Sequence, residues 1–209
     1  MSSMESKRPW QRGLGRFLKE WVGLFAFAAV VLVSRSSLAD HYQVPSESML
    51  PTVQVGDHVL VDKRAYGVRV PFTTLHLTQG LPLRGDVIVL ESPEDSRVLL
   101  KRVVALPGDR VQVKDGALWL DGKSTERSHA ADSAVEVLSG QAHALDLSFG
   151  GGPDFGPEQV PPGKLLVMGD NRGNSHDGRA FGYVERDAVL GQVTGVFVRH
   201  GTLRWISVR

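Results

Sequence analysis

Short apolar runs separated by turn residues limit most strongly what this chain can fold into. From residue 40 onward, valine, isoleucine and leucine recur in brief runs, and helical periodicity is weak. Such runs are typical of β-strands. The sequence therefore predicts a mainly β domain with several sheets. The predicted strands are His58–Val61, Val87–Leu90, Val98–Ala105, Val111–Val113, Leu165–Met168, Val189–Arg199 and Leu203–Val208.

A Gly-Asp pair precedes three of these strands. Glycine adopts positive φ without steric cost, and an aspartate side chain bonds nearby backbone groups, so the pair is typical of a turn. We expect each pair to deliver the chain into the next strand. The pairs are Gly56-Asp57, Gly85-Asp86 and Gly108-Asp109.

The composition excludes several classes of function. The chain has 209 residues, of which 42% are hydrophobic and 22% charged, as is ordinary for a folded protein. A net charge of +1, without a basic aromatic-rich run, predicts no nucleic-acid partner. The absence of cysteine excludes disulfides, thiolate zinc sites and a cysteine nucleophile. No His-x-x-x-His pair occurs, so we expect no metal site and no cofactor.

The N-terminal segment has the pattern of a membrane anchor. The first 21 residues are basic, and Val22 to Val33 form an apolar run. Positive charge before such a run keeps the N-terminus in the cytoplasm and sends the downstream chain across the membrane. The run is shorter than the roughly 20 residues of a spanning helix, but residues 34–39 can extend it. We predict a cytoplasmic tail over residues 1–21, a transmembrane signal-anchor helix over 22–39 and an extracytoplasmic domain over 40–209.

A cleavable signal peptide is the alternative interpretation of the same segment. A basic start, a short apolar core and Ser37-Leu38-Ala39 resemble a signal peptide with a small-x-small cleavage site. The length of the run favours a signal peptide, whereas the candidate chemistry at the nearby Ser46 and Ser48 favours a retained anchor. Both interpretations place the remaining chain outside the cytoplasm.

Two stretches interrupt the strand pattern. Residues 66–83 are apolar with little charge, which indicates a core hairpin or an exposed lip that touches lipid or peptide. Residues 121–163 are polar and contain Gly150-Gly151-Gly152-Pro153 and Pro161-Pro162-Gly163. We interpret this second stretch as a surface excursion with little packing of its own.

Lys101 lies in the middle of the apolar strand Val98–Ala105. Because side chains alternate along a strand, Leu99, Lys101 and Val103 share one face. Burial among aliphatic neighbours disfavours the ammonium form and lowers a lysine pKa by up to about 3–5 units. Lys101 is therefore either a buried neutral base or an edge-strand lysine whose amine reaches water.

Two polar segments carry candidate chemistry. In Val44-Pro45-Ser46-Glu47-Ser48-Met49-Leu50-Pro51-Thr52, two prolines fix the backbone around a pair of serines. In residues 168–179, Ser175, Asp177 and Arg179 occupy alternate positions, which share a face on extended backbone. Asp177 and Arg179 can form a charge-assisted pair there. His176 would point the opposite way, which argues against a Ser-His-Asp triad.

Three ordered blocks resemble the signature of bacterial type I signal peptidases. They are Pro45–Thr52, Lys101–Asp109 (Lys-Arg-Val-Val-Ala-Leu-Pro-Gly-Asp), and Gly169-Asp170-Asn171-Arg172 through Arg179. The resemblance implies a membrane-anchored, mainly β serine endopeptidase of the bacterial inner membrane, with its catalytic domain on the periplasmic side. It also implies removal of signal peptides from exported pre-proteins after small-x-small (Ala-x-Ala) sites, so the implied partners are pre-protein signal peptides and the lipid bilayer.

The resemblance assigns a role to each matched residue. Ser48 would be the nucleophile and Lys101 its general base, while Ser46 and the Ser48 backbone N–H would form the oxyanion hole. Ser175 would hydrogen-bond and orient the lysine amine, and Asp177 and Arg179 would support that loop. The residues expected to line the substrate pockets are Val44, Pro45, Met49, Val53, Leu99 and Leu100.

The chain departs from the family pattern at two positions. Glu47 replaces a residue that is often glycine, and Gly173 stands where many relatives have an acid. Three other functions compete with the one implied. A pilin-precursor peptidase would use the same dyad, and a self-cleaving repressor-type protease would add a DNA-binding domain. A membrane-tethered module that binds peptides without cleaving them would not need Ser48 or Lys101.

Overall fold

The computed structural model describes residues 21–27, 39–67, 80–130 and 132–208. Within these ranges the fold is mainly β with several sheets, as predicted. Helical structure there comprises α1 (residues 21–27), α2 (Gly178–Phe181) and a 3₁₀ turn at Arg186–Ala188. The strands are β1 (Ala39–Gln43), β2 (His58–Asp62), β3 (Val87–Glu91), β4 (Val98–Ala105), β5 (Arg110–Lys114), β6 (Ala117–Leu120), β7 (Lys123–Ser124), β8 (Glu126–Ala130), β9 (Ser133–Leu138), β10 (Gln141–Asp146), β11 (Phe155–Gln159), β12 (Lys164–Met168), β13 (Val184–Glu185), β14 (Val189–Arg199) and β15 (Thr202–Ser207).

The largest sheet positions the candidate site. It has 8 strands in the order β1-β2-β14-β3-β4-β12-β13, and β15 also pairs with β14. The pairs in this sheet are antiparallel. All seven strands predicted from the apolar runs are present, with bounds within one residue. Strand β4 lies between β3 and β12, so Lys101 is on an interior strand and the edge-strand alternative is wrong.

The Gly-Asp turns form as expected. Each glycine has positive φ, between 86° and 95°. Each aspartate accepts a hydrogen bond from the backbone N–H three residues before it, and the N···O distances for Asp57, Asp86 and Asp109 are 2.9, 2.9 and 2.7 Å. These bonds close the turns that start β2, β3 and β5.

The stretch 121–163 is not the loosely packed excursion we predicted. It contains β7 to β11, and β8, β9 and β10 form a sheet of their own. Strand β9 alternates exposed and buried positions, with Ala134, Glu136 and Leu138 facing inward. The prediction was wrong because two buried positions of these strands are polar, namely Glu136 of β9 and His143 of β10. The alternating apolar pattern that would have indicated the strands is therefore interrupted.

The segment after β1 is fixed to the main core. Val44, Met49 and Val53 are buried in one hydrophobic cluster with Val59 and Val61 of β2. The Val44 N–H donates to the Asp57 carbonyl at 2.9 Å, and the Val53 N–H donates to the Met49 carbonyl at 3.0 Å. Three buried side chains and these bonds therefore hold the serine-containing segment against the sheet.

Two predicted features fall largely outside the described residues. Of the predicted anchor helix over residues 22–39, residues 22–27 and 39 are described. Residues 22–27 are helical with exposed side chains, whereas Ala39 already begins β1. Among the residues the structure describes, no helix is long and apolar enough to cross a membrane. Residues 68–79 of the second apolar stretch also lie outside the described ranges. Leu81 and Leu83, near its end, are exposed.

Candidate active site

The candidate site is centred on a contact between Ser48 and Lys101. Ser48 lies between the buried Val44 and Met49, and its side chain is partly exposed. Lys101 Nζ donates to Ser48 Oγ at 2.7 Å. The two residues are 53 positions apart in the chain. The segment after β1 and the interior strand β4 therefore bring a hydroxyl and an amine to hydrogen-bonding distance.

Burial changes the protonation of the Lys101 amine. The side chain is 3% exposed and lies opposite Ile88 of β3, which is itself fully buried. Desolvation lowers the pKa of Lys101 from 10.5 to about 8, although the negative charges of Asp177 and Asp170 act in the opposite direction. A usable fraction of the amine is therefore neutral near pH 7, and a neutral amine can accept the Ser48 proton.

The loop after β12 packs directly on the Ser48 backbone. The Asn171 N–H donates to the Ser48 carbonyl at 3.1 Å. Any side chain at position 169 would collide with that carbonyl and with the Ser175 hydroxyl, so the close approach requires Gly169. The loop thus fixes the backbone of the candidate nucleophile through its carbonyl group.

A buried ion pair joins this loop to β4. Asp170 Oδ1 and Oδ2 accept hydrogen bonds from Arg102 Nε and Nη2 at 2.8 and 2.7 Å, and the Thr52 hydroxyl donates to Oδ2 at 2.5 Å. Burial by itself would raise the pKa of Asp170, but the adjacent Arg102 guanidinium outweighs burial and lowers it. Asp170 is therefore a charged group that ties together the strand of the base and the segment of the serine.

Asp177 and Arg179 are paired deep in the same loop. The Arg179 Nε and Nη2 donate to the two Asp177 oxygens, each at 2.8 Å, and the Gly169 N–H donates to Asp177 Oδ2 at 2.9 Å. Burial opposes ionisation of Asp177, yet Arg179 lowers its pKa. The expectation of extended backbone through Arg179 was wrong, because Asp177 caps α2, which begins at Gly178.

Ser175 lies close to the site without completing the predicted contact. Its hydroxyl is buried, and among the described residues no atom is at hydrogen-bonding geometry with it. The hydrogen bond predicted between Ser175 and Lys101 is therefore not formed in this structure.

The polar face of the site contains the second serine. Ser46 Oγ lies 3.4 Å from Ser48 Oγ, and both hydroxyls face a groove of about 680 Å³. Five of the six predicted substrate-binding residues line this groove, whereas Val53 is fully buried in the core. The described lining residues are Tyr42, Gln43, Val44, Pro45, Ser46, Glu47, Ser48, Met49, Val59, Val89, Arg97, Val98, Leu99, Leu100, Lys101, Asn174 and His176.

Several contributors to the site were not identified from the sequence. Thr52, Arg102 and Asp170 had no assigned role, although all three lie in the segments that carry the family resemblance. His176 faces the groove and pairs with Glu94, with 2.8 Å between Nε2 and Oε2. Among the residues described, no cluster of three or more His, Cys, Asp or Glu side chains could hold a metal ion.

The fold and the site define a class of protein: a mainly β chain in which a serine hydroxyl and a buried lysine amine meet in a largely apolar groove. Such an arrangement suits acyl transfer. The family described as "Signal peptidase, peptidase S26" matches residues 18–198 of this chain. The chain belongs to this signal peptidase family, as the sequence blocks predicted.

Two bacterial relatives with similar sequences support the same assignment. The chain is 39% identical to signal peptidase I of Pseudomonas fluorescens over 170 residues, which are 74% of this chain and 60% of that protein. It is 34% identical to signal peptidase I of Bacillus licheniformis over 189 residues, covering 90% of this chain and 92% of that protein. The chain thus matches 60% of the Pseudomonas protein's length and nearly all of the Bacillus one. A solved signal peptidase I from Enterococcus faecalis V583 is 30% identical, with a TM-score of 0.39 over 54% of this chain and 97% of that one.

Proposed function

We propose that this protein is a membrane-bound serine endopeptidase that removes N-terminal signal peptides from exported pre-proteins after small-x-small sites. The observation that carries the proposal is the 2.7 Å contact between Ser48 Oγ and a Lys101 amine whose pKa burial lowers to about 8. Membership in the signal peptidase family supports the substrate class. The apolar part of the groove, which includes Val44, Leu99 and Leu100, fits uncharged side chains of the substrate.

In the proposed mechanism, Lys101 is the general base. Neutral Nζ accepts the Ser48 hydroxyl proton as Oγ attacks the carbonyl carbon of the scissile bond. The resulting ammonium then donates that proton to the leaving amine, and an acyl-enzyme remains on Ser48. Lys101 next accepts a proton from a water molecule that attacks the ester, and it returns this proton to Ser48 Oγ as the signal peptide leaves with a free carboxylate.

Ser46 is the proposed side-chain donor to the oxyanion. Its hydroxyl is exposed to the groove and lies 3.4 Å from Ser48 Oγ, so it is near the position that the substrate oxygen would take. The Ser48 backbone N–H is the proposed second donor. Removing one such donor from an acyl-transfer site typically lowers kcat by about 10²–10³.

The direct test compares the wild type with Ser48→Ala and Lys101→Ala on a pre-protein in detergent. We expect each substitution to lower kcat by at least about a thousandfold, because neither residue of the pair works without the other. Circular dichroism and unfolding curves must show that both variants fold. Cleavage by a folded Lys101→Ala enzyme would overturn the dyad, and a wild type that binds but never cleaves pre-proteins would support a binding module.

We further propose that the N-terminal segment is retained as a single-pass anchor, with a cytoplasmic N-terminus and the catalytic domain on the periplasmic side. Residues 21–27 are helical, and their apolar side chains, including Phe25 and Phe27, are exposed. Ala39 pairs with Asp62 at the start of β1, so cleavage after Ala39 would remove a residue of the sheet. Full-length protein that resists carbonate extraction of membranes is expected; a soluble form beginning at Asp40 would contradict the anchor.

A further inference from the structure

Glu47 gives the substrate groove a negative charge beside the candidate nucleophile. It lies between Ser46 and Ser48, its side chain is exposed, and it is the acidic residue among the described groove-lining residues. The Glu47 side chain therefore adds a carboxylate to a groove whose other lining residues near Ser48 are, apart from Lys101, apolar or uncharged.

The other basic side chains at the groove either have acidic partners outside it or are buried. Arg97 lines the groove and pairs with Asp95, and His176 pairs with Glu94. Lys101 is 3% exposed. Among the described residues, no lysine, arginine or histidine lies within ion-pair distance of Glu47. A cationic side chain of a bound peptide would therefore be the ionic partner of Glu47.

Asn174 holds the Glu47 side chain in place. The Asn174 Nδ2 donates to Glu47 Oε2 at 3.2 Å across 127 positions of the chain. Asn174 also lines the groove and belongs to the loop that packs behind Ser48. An amide partner orients the carboxylate without neutralising it, so the negative charge stays available to a ligand.

We propose that Glu47 is a specificity-determining residue that favours peptides with a lysine or arginine beside the scissile bond and disfavours those with aspartate or glutamate there. The inference rests on the proposed function. Small-x-small selection fixes the first and third residues before the bond as small and neutral. Glu47 therefore acts on the middle residue of that motif or on the first two residues after the bond.

The test uses matched peptides that share one small-x-small site and carry Lys, Gln or Asp at each of these three positions. For the wild type, we expect kcat/KM for the Lys peptide to exceed that for the Asp peptide by about 3–10-fold at one or more positions, as expected for two charges in a water-filled groove. The ratio should approach unity in Glu47→Gln. The wild-type Lys/Asp ratio should also become smaller in 0.5 M salt, because the screening length there is only roughly 4 Å.

A matched control separates a local charge effect from a change in net charge. Glu126→Gln removes one negative charge from an exposed position on β8 and should keep the wild-type Lys/Asp ratio. Equal ratios in the wild type and Glu47→Gln would overturn the role of Glu47. An equal loss of discrimination in Glu126→Gln would also overturn it, because long-range charge would then be sufficient.

Peptide binding distinguishes failure of this inference from failure of the proposed function. Fluorescent versions of the same peptides are titrated against Ser48→Ala and against Ser48→Ala/Glu47→Gln. Lys peptides that bind the first variant more tightly than Asp peptides, but bind the second without that preference, support the inference whether or not cleavage occurs. If the wild type cleaves these peptides without charge preference and binding also shows none, the inference fails and the proposed function stands.

Discussion

Burial of Lys101 makes its amine a better candidate base and at the same time lowers the stability of the fold. Burial lowers its pKa from 10.5 to about 8, a difference worth roughly 3 kcal/mol in favour of the neutral amine. Burial alone would lower the pKa of Lys101 further, but the negative charges of Asp177 and Asp170 oppose this shift. These carboxylates belong to the loop that fixes the Ser48 backbone, so the same loop that positions the candidate nucleophile also limits the pKa shift of the candidate base.

The lowered pKa predicts the pH dependence of cleavage. Because only the neutral amine accepts the serine proton, kcat/KM should rise as pH increases through about 8 and level off above it. The measurement is a pH–rate profile of the purified enzyme with a peptide that has no titratable group between pH 6 and 10. A profile that stays flat, or falls over this range, would contradict the assignment of Lys101 as the base.

The same shift predicts that an inactive variant is more stable. The unfolded chain binds the lysine proton up to pH 10.5, whereas the native protein releases it near pH 8, so wild-type stability should rise between these values. Lys101→Met removes this burial cost and should increase the free energy of unfolding by up to about 3 kcal/mol at pH 7. Urea unfolding at pH 7 and pH 10 checks the effect, and the gain should be smaller at pH 10.

At the scale of elements, strand β4 serves the site with both of its faces. Lys101 meets Ser48, while the next residue, Arg102, points the other way and binds Asp170 and the Gly85 carbonyl, the latter at 2.7 Å. Adjacent residues of a strand project to opposite sides, so a single strand can hold the base and also anchor the loop behind the nucleophile. The Lys-Arg dipeptide is thus explained by the geometry of the strand.

Breaking the Arg102–Asp170 pair should destabilise the fold. Asp170→Asn leaves a buried guanidinium without its counter-charge, and we expect a loss of roughly 3–5 kcal/mol in the free energy of unfolding at pH 7. Because the pKa of Asp170 is lowered in the native state, its contribution is present above the ordinary aspartate pKa of 3.8 and is lost as pH falls below it. Chemical denaturation at pH 7 measures the loss. Asp95→Asn, which breaks an exposed pair, is the control and should change stability little.

At the scale of the whole molecule, a buried charge pair joins the three-stranded sheet β8–β10 to the loop after β12 that packs on the Ser48 backbone. Glu136 of β9 bonds Arg172, and both side chains are at most 1% exposed. Burial opposes ionisation of Glu136, but Arg172 and His143 lower its pKa to about 2. The Arg172 N–H also donates to the Asp146 carbonyl of β10 at 3.1 Å. The small sheet therefore supports the segment that holds Ser48.

A double-mutant cycle tests this connection. Glu136→Leu alone leaves Arg172 buried without a counter-charge and should lower the free energy of unfolding by roughly 3–5 kcal/mol. Glu136→Leu/Arg172→Leu removes both charges and should recover much of that loss, since hydrophobic replacement of a buried pair is often nearly neutral. Urea unfolding of Glu136→Leu, of Arg172→Leu and of the double variant gives the coupling free energy. Additive losses would show that the two charges are not coupled.

The sequence predicted the parts of the fold that are encoded locally. Apolar runs and Gly-Asp turns gave the strands of the main sheet because their patterns repeat within a few residues. Charge pairs such as Arg102–Asp170 and Glu136–Arg172 join positions 68 and 36 residues apart, and no local pattern specifies them. Strands β8 to β10 were missed for the same reason, since part of their buried face is ionic. The proximity of Ser48 and Lys101 came from the family resemblance and not from periodicity.

The short connection between β1 and Ser48 limits how far the candidate nucleophile can lie from the chain that precedes β1. Ser48 is nine positions after Ala39, where β1 begins, and an extended chain advances about 3.3 Å per residue. With residues 22–38 anchored as proposed, the attacking oxygen lies within about 30 Å of the point where the chain emerges. If the anchor is retained as proposed, the enzyme reaches only peptide bonds within this distance of the point where its own chain leaves the bilayer.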